Sequence, residues 1–116
     1  MTVVIVGDVV TDVVAVHGGA LATGSDTPAT ITITGGGAAA NTAVWLATLG
    51  VPVTLVAVVG ADRAGDDRID ELTAARVRCH VRRAAGFPTG SIVVLSGGGD
   101  RTMLVDRGAN GLRTTA

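Results

Sequence analysis

Val3 to Val6 is an unbroken apolar run that stops at Gly7-Asp8, the pattern of a parallel strand buried on both faces. From Asp12 onward the texture changes. Val13, Val14 and Val16 lead into a stretch of Gly, Ser, Asp and Pro, and Thr30-Ile31-Thr32-Ile33-Thr34 then alternates strictly. Alternation places one face in water and one against cover, so the segment at about 12–34 predicts a small, half-exposed, lid-like β insert separate from the buried sheet.

Ala38 to Leu49 sets Ala39, Ala43, Leu46 and Ala47 on one helical stripe, with Gly50 as the C′ stop and Pro52 just beyond. Val53 to Val59 reads as a second buried strand closed by Gly60-Ala61-Asp62. Gly65 to Val77 predicts another helix, with Asp66 and Asp67 at its positive end, Arg76 and Arg78 at its negative end, and Ile69 and Leu72 facing inward. A short strand carrying Arg82 and Arg83 fits between Cys79 and Gly86. Ser91 to Ser96 and Thr102 to Asp106 flank Gly97-Gly98-Gly99-Asp100-Arg101, which predicts a hairpin with a loop of about five residues. The order strand, insert, helix, strand, helix, strands points to an α/β architecture with a parallel core flanked by helices. No internal repeat, linker or second-domain boundary interrupts it.

Composition narrows the chemistry. The 116 residues suffice for one domain, and a chain of this length buries roughly two-thirds of its unfolded surface. Hydrophobic residues make up 47% but aromatics only 2%, so the core is expected from Val, Ile, Leu and Ala. A net charge of −1 gives no electrostatic case for a nucleic-acid partner or an anionic membrane. Cys79 is the single cysteine, so no internal disulfide is available. The first residues lack a basic n-region, and no apolar run approaches the ~20 residues of a membrane span. The expectation is a soluble, cytoplasmic chain.

Gly35 to Asn41, Gly-Gly-Gly-Ala-Ala-Ala-Asn, carries the most specific signal. Its glycines let a ligand approach the backbone, and the alanines start a helix whose first N–H groups can meet a polar ligand. In isolation Gly35 to Ala40 also fits the dinucleotide fingerprint G-x-G-x-x-[GA]. That fingerprint normally sits on the first βα turn, about 30 residues earlier than here, and Asp62 lies beyond the ~20 residues expected of the ribose-binding carboxylate. Gly97-Gly98-Gly99-Asp100 lacks the following helix that an anion-binding loop needs, and reads as a hairpin tip.

Gly36-Gly37-Ala38-Ala39-Ala40-Asn41-Thr42-Ala43, followed by Gly50 and Gly60, resembles the first signature of the PfkB or ribokinase-like family of carbohydrate and nucleoside kinases. Gly7 to Asp12 looks like that family's first strand and turn. Gly60-Ala61-Asp62 to Gly65 is similar to its Gly-x-Asp-x-x-Gly, and Gly108-Ala109-Asn110 to its Gly-Ala-Asn before a Leu. The resemblance runs over nearly the whole chain. It implies a ribokinase-like three-layer fold with a small β lid, and a reaction in which a hydroxyl of a sugar or nucleoside attacks the γ-phosphorus of ATP in the presence of Mg²⁺.

Residue by residue, the resemblance assigns Asp12 to the carboxylate that accepts from substrate hydroxyls, a role suited to two acceptor oxygens facing a vicinal diol. A solvated turn Asp is the alternative. Gly36 and Gly37 match the pair whose backbone meets substrate, and Asn41 matches an Asn that both donates and accepts. The alternative for Asn41 is a helix-start residue satisfying local backbone. Asp62 is expected to organise the turn before the next helix; Arg107 is placed where it could face the site, with a surface residue at a strand end as the default reading. The ribokinase branch carries an Asn where this chain has Val10, which argues against ribose as substrate.

Family members run to about twice this length or more. Their later Gly-Ala-Gly-Asp loop, which carries the general base and the helix start that stabilises the transferring phosphoryl group, has no counterpart here. The chain is therefore expected to be the N-terminal, substrate-side portion of such a kinase, with no catalytic residue of its own and no bound ATP or metal, and inactive alone. The alternative is a non-catalytic module that binds a sugar or forms a homodimer through its lid strands.

Overall fold

The computed structural model describes residues 1–112; residues 113–116, the end of the 1–116 segment, lie outside the described residues. Two sheets organise the chain. The body is a three-stranded parallel sheet in the order β1 (Val3–Val6), β4 (Val53–Gly60), β5 (Arg78–Ala84). The second sheet has the order β3 (Ala29–Gly36), β2 (Val10–His17), β6 (Gly90–Gly97), β7 (Asp100–Asp106), with β2 parallel to β6 and the other pairs antiparallel.

Helices α1 (Ala38–Thr48) and α2 (Arg63–Ala74) lie on the same face of the body sheet. Val53, Leu55, Ala57 and Val59 alternate toward that face of β4, and meet Ala40, Ala43 and Ala47 of α1 and Leu72 of α2. Small alanines let α1 sit close on the sheet, and burying this aliphatic set drives the docking. Leu55 is fully buried, so its truncation to Ala is expected to cost about 2–5 kcal/mol.

The one-sided cover corrects the reading of β1 as buried on both faces. Val3 and Ile5 point to the helices, whereas Val4 and Val6 are 60% and 50% exposed. Periodicity cannot tell which faces of an apolar run are covered. On the opposite side a 3₁₀ turn at Gly108–Leu112 covers only the end of β4, where Ala109 packs on Val58. The second helical layer of a three-layer fold is not among the described residues.

Helix ends explain two further differences. Both helices close with the paired bonds of a Schellman motif, Val51 N to Leu46 O with Gly50 N to Ala47 O, and Val77 N to Leu72 O with Arg76 N to Thr73 O. Gly50 adopts the left-handed conformation as expected, but at the end of α2 that position is held by Arg76, at φ 67°. Arg76 and Arg78 therefore lie beyond α2 instead of in its last turn. At its start, Asp62 caps the helix by accepting from Gly65 N at 2.8 Å. The hairpin loop is two residues, not five: Gly98 and Gly99, at φ 60° and 82°, supply the positive φ that a two-residue turn requires, and β6 and β7 pair as far as Gly97 and Asp100.

Candidate functional site

The insert leaves the body and returns to it at one place. β2 starts at Val10, β3 ends at Gly36, and the two are paired there. Asp12 lies opposite Thr34 and beside Ile92, and the same sheet face carries Gly36 one pleat repeat away. Its carboxylate rests against the Gly36 Cα: a β-carbon on Gly36 would fall 2.7 Å from Asp12 Cγ and closer still to Oδ2. Asp12 is thus held in a strand interior, not in the solvated turn that was the alternative.

Gly37 turns the chain from β3 into α1 at φ 100° and is the N-cap of that helix, with no side chain capping the first turn. A β-carbon there would lie 2.9 Å from the Asp8 carbonyl carbon, so both backbone angle and space demand glycine. The helix start is therefore open to a polar group. Asn41, one turn into α1, lines a cavity of about 230 Å³ with Gly35, Gly36, Arg68 and Glu71. Gly37 lines a neighbouring cleft of about 430 Å³ with Asp8, Val10, Thr42 and Ile92. Asp12 and Gly36 meet, and Asn41 shares a cavity with Gly36. Among the described residues, however, the four expected site residues line no single cavity.

The surroundings are braced by buried polar groups. Asn110 clamps Val9, donating to its carbonyl at 3.0 Å and accepting from its N–H at 3.1 Å, which fixes the chain just before β2. Asp62 organises its turn as expected: it also accepts from Thr89 Oγ1 at 2.6 Å and Thr89 N at 2.9 Å, while Thr89 Oγ1 accepts from Gly60 N. Burial alone would raise the Asp62 pKa, but the hydrogen bonds from Thr89 and Gly65 outweigh it and hold the carboxyl below its ordinary value. Arg107 is exposed, as expected at a strand end, and approaches Asp8 at 3.8 Å.

Arg68 and Thr89 were missed. Arg68 is 6% exposed; its Nη1 donates to Thr11 Oγ1 at 2.9 Å and to Thr34 O at 3.2 Å, and its Nη2 to Glu71 at 2.7 Å. The available signal was its place one turn before Leu72 on the inward stripe of α2. Nothing in the neighbouring sequence marks Thr89, whose partners are 27 and 29 residues away.

The Gly97 to Asp100 run is a β-turn with a strand after it, so no helix start faces it. Among the described residues no three His, Cys, Asp or Glu side chains group as metal ligands. Geometry also disposes of the dinucleotide reading, because the Gly35 to Gly37 run joins an antiparallel lid strand to α1 and not a core parallel strand to its crossover helix.

A parallel α/β body with a β lid rooted beside a Gly-Gly helix entrance defines a ribokinase-like architecture. The chain belongs to the pfkB family of carbohydrate kinases, whose family model matches residues 1–116. Its structure is similar to ribokinase from Giardia lamblia, with a TM-score of 0.89 at 22% identity over 97% of this chain and 35% of that one. It is also similar to an uncharacterized sugar kinase from Pyrococcus horikoshii solved in complex with ATP, with a TM-score of 0.81 and 28% identity over 95% of this chain and 35% of that one. Among curated proteins, 53 residues are 47% identical to the bifunctional protein HldE of Ectopseudomonas mendocina (strain ymp), which is 46% of this chain and 11% of that protein. The chain thus spans about a third of the solved kinases, and the 53 matched residues about a tenth of that curated relative.

Proposed function

We propose that this chain is the sugar-recognising, N-terminal portion of a cytoplasmic ATP-dependent kinase that phosphorylates a sugar or nucleoside hydroxyl. The observation that carries the reading is the seating of the Asp12 carboxylate on Gly36 at the lid root. It presents two acceptor oxygens beside the uncapped start of α1. In this proposal Asp12 accepts from substrate hydroxyls, the Gly36-Gly37 backbone lets the ring approach, and Asn41 closes on the ligand from the first turns of α1. Val10 is 4% exposed and cannot supply a polar contact, which supports a substrate other than ribose.

Among the described residues no glycine-rich loop leads into a helix start after the Gly97 to Asp100 turn, which supports binding without turnover by this chain. An assay for ADP release with a panel of sugars and nucleosides tests this: no turnover is expected, and turnover by the purified chain would overturn it.

A second reading has its own observation. Ile31, Ile33 and Leu104 share the lid face opposite Asp12 and are each about 60% exposed. An apolar face of this kind suits a second copy of the chain, paired lid to lid. Sedimentation equilibrium tests it: Ile33→Lys is expected to yield monomers from a wild-type dimer, and a monomeric wild type would remove the reading.

A further inference from the structure

The buried guanidinium of Arg68 has no role in the proposed site so far. The residue is 6% exposed, and a buried charge is unfavourable unless its hydrogen bonds offset the lost hydration. Its partners are specific. Nη1 reaches Thr11, the residue before Asp12 in β2, and Thr34, the residue paired with Asp12 across β3. Nη2 is braced by Glu71, and both side chains press on the Cα of Gly35, where a β-carbon would lie 2.6 Å from Glu71 Oε2 and 3.3 Å from Arg68 Nε. One planar group thus ties a body helix to both strands of the lid root, on the face opposite the Asp12 carboxylate.

We propose that Arg68 is a positioning residue: it sets the height and register of the lid root, and so fixes Asp12 over Gly36 for hydroxyl recognition. The inference rests on the proposed role of Asp12. Nη1 alone reaches both lid oxygens while Nη2 holds Glu71, a division that suits the planar guanidinium of arginine better than the ammonium of lysine, a point charge on a flexible stem. An apolar side chain of similar length would fill the same space without holding either strand.

The test compares the wild-type chain with Arg68→Met, Arg68→Lys and Glu71→Gln by amide hydrogen exchange, with D-fructose and D-ribose titrations followed by NMR. Arg68→Met keeps the buried stem and is expected to stay folded. Exchange is expected to accelerate at least tenfold at the lid root, from Thr11 to Val13 and from Ile33 to Gly35, with β4 amides unchanged. Arg68→Lys is expected to recover only part of that protection. Glu71→Gln, at an exposed position that spares folding, is expected to give a smaller acceleration at the same amides. Wild-type-like exchange at the root in both Arg68→Met and Glu71→Gln, or acceleration spread equally over β4, would overturn the proposal. If any sugar bound by wild type binds Arg68→Met at least fivefold more weakly, the link to Asp12 is supported; equal affinity would overturn it. A wild type that binds neither sugar at millimolar concentration would count against the Asp12 reading, while root exchange would still decide whether Arg68 holds the lid.

Discussion

Asp12 and Gly36 are in van der Waals contact across the lid root, and the absence of a side chain on Gly36 is what gives the carboxylate its seat. The contact joins the two parts of the sequence that most specifically mark the family, one on β2 and one at the end of β3. Gly36→Ala is expected to push the Asp12 side chain aside and to destabilise the fold by about 1–3 kcal/mol, the range of overpacking at a tight site. Denaturant midpoints measure this, and an unchanged midpoint would mean that Asp12 has room to move.

Gly37→Ala should be the more severe change. It combines a left-handed φ with a collision against the Asp8 backbone, which cannot yield as a side-chain tip can. A loss of about 2–4 kcal/mol is expected from strain and overpacking together, read as a larger fall in melting temperature than for Gly36→Ala.

Asn110→Ala removes the clamp on Val9 and leaves a buried N–H and C=O without a protein partner. About 2–4 kcal/mol of stability is expected to go with it. Asn110→Asp should recover little, because a carboxylate can accept from Val9 N but cannot donate to Val9 O. Urea unfolding of the two variants provides the comparison.

Asp62 links stability to pH. Its folded pKa lies below the unfolded one, so its contribution is complete above the ordinary carboxylate pKa of about 4 and disappears as pH falls through the lower folded value. Asp62→Asn should therefore weaken the chain at neutral pH and flatten the acid limb of a plot of urea midpoint against pH below about 4. An acid limb as steep as that of wild type would contradict the assignment.

Cys79 should react slowly. Burial raises its thiol pKa, and the Thr73 hydroxyl offsets this only in part. Iodoacetamide at neutral pH is expected to alkylate it roughly fivefold or more slowly than an unfolded control, since the thiolate is the nucleophile. Parity with the control would show that the strand opens readily.

The sequence made the helices and the parallel core legible because their signals are local: the alanine stripe of α1, the Gly50 stop, the closed apolar run of β4. What it hid depends on contacts between distant residues. Whether Val4 and Val6 face cover is settled by which side both helices choose, and no periodicity encodes that. Arg76 was placed inside α2 because arginine is common in a last helical turn, yet here it occupies the left-handed position usually held by glycine. In the site, Asp12 and Gly36 could be picked out by motif, but their contact could not. Arg68 carries no local mark of its bonding, because its partners on β2 and β3 lie 57 and 34 residues away in the chain.

Sugar titration of the labelled chain and of Asp12→Ala tests the central claim most directly. One charge-assisted hydrogen bond contributes about 1.5–3 kcal/mol, so saturable shifts at Gly36, Gly37 and Asn41 should appear with a sugar or nucleoside and weaken at least tenfold in Asp12→Ala at unchanged melting temperature. Saturable binding of equal strength in Asp12→Ala, or a folded wild-type chain that binds none of the sugars and nucleosides, would contradict it.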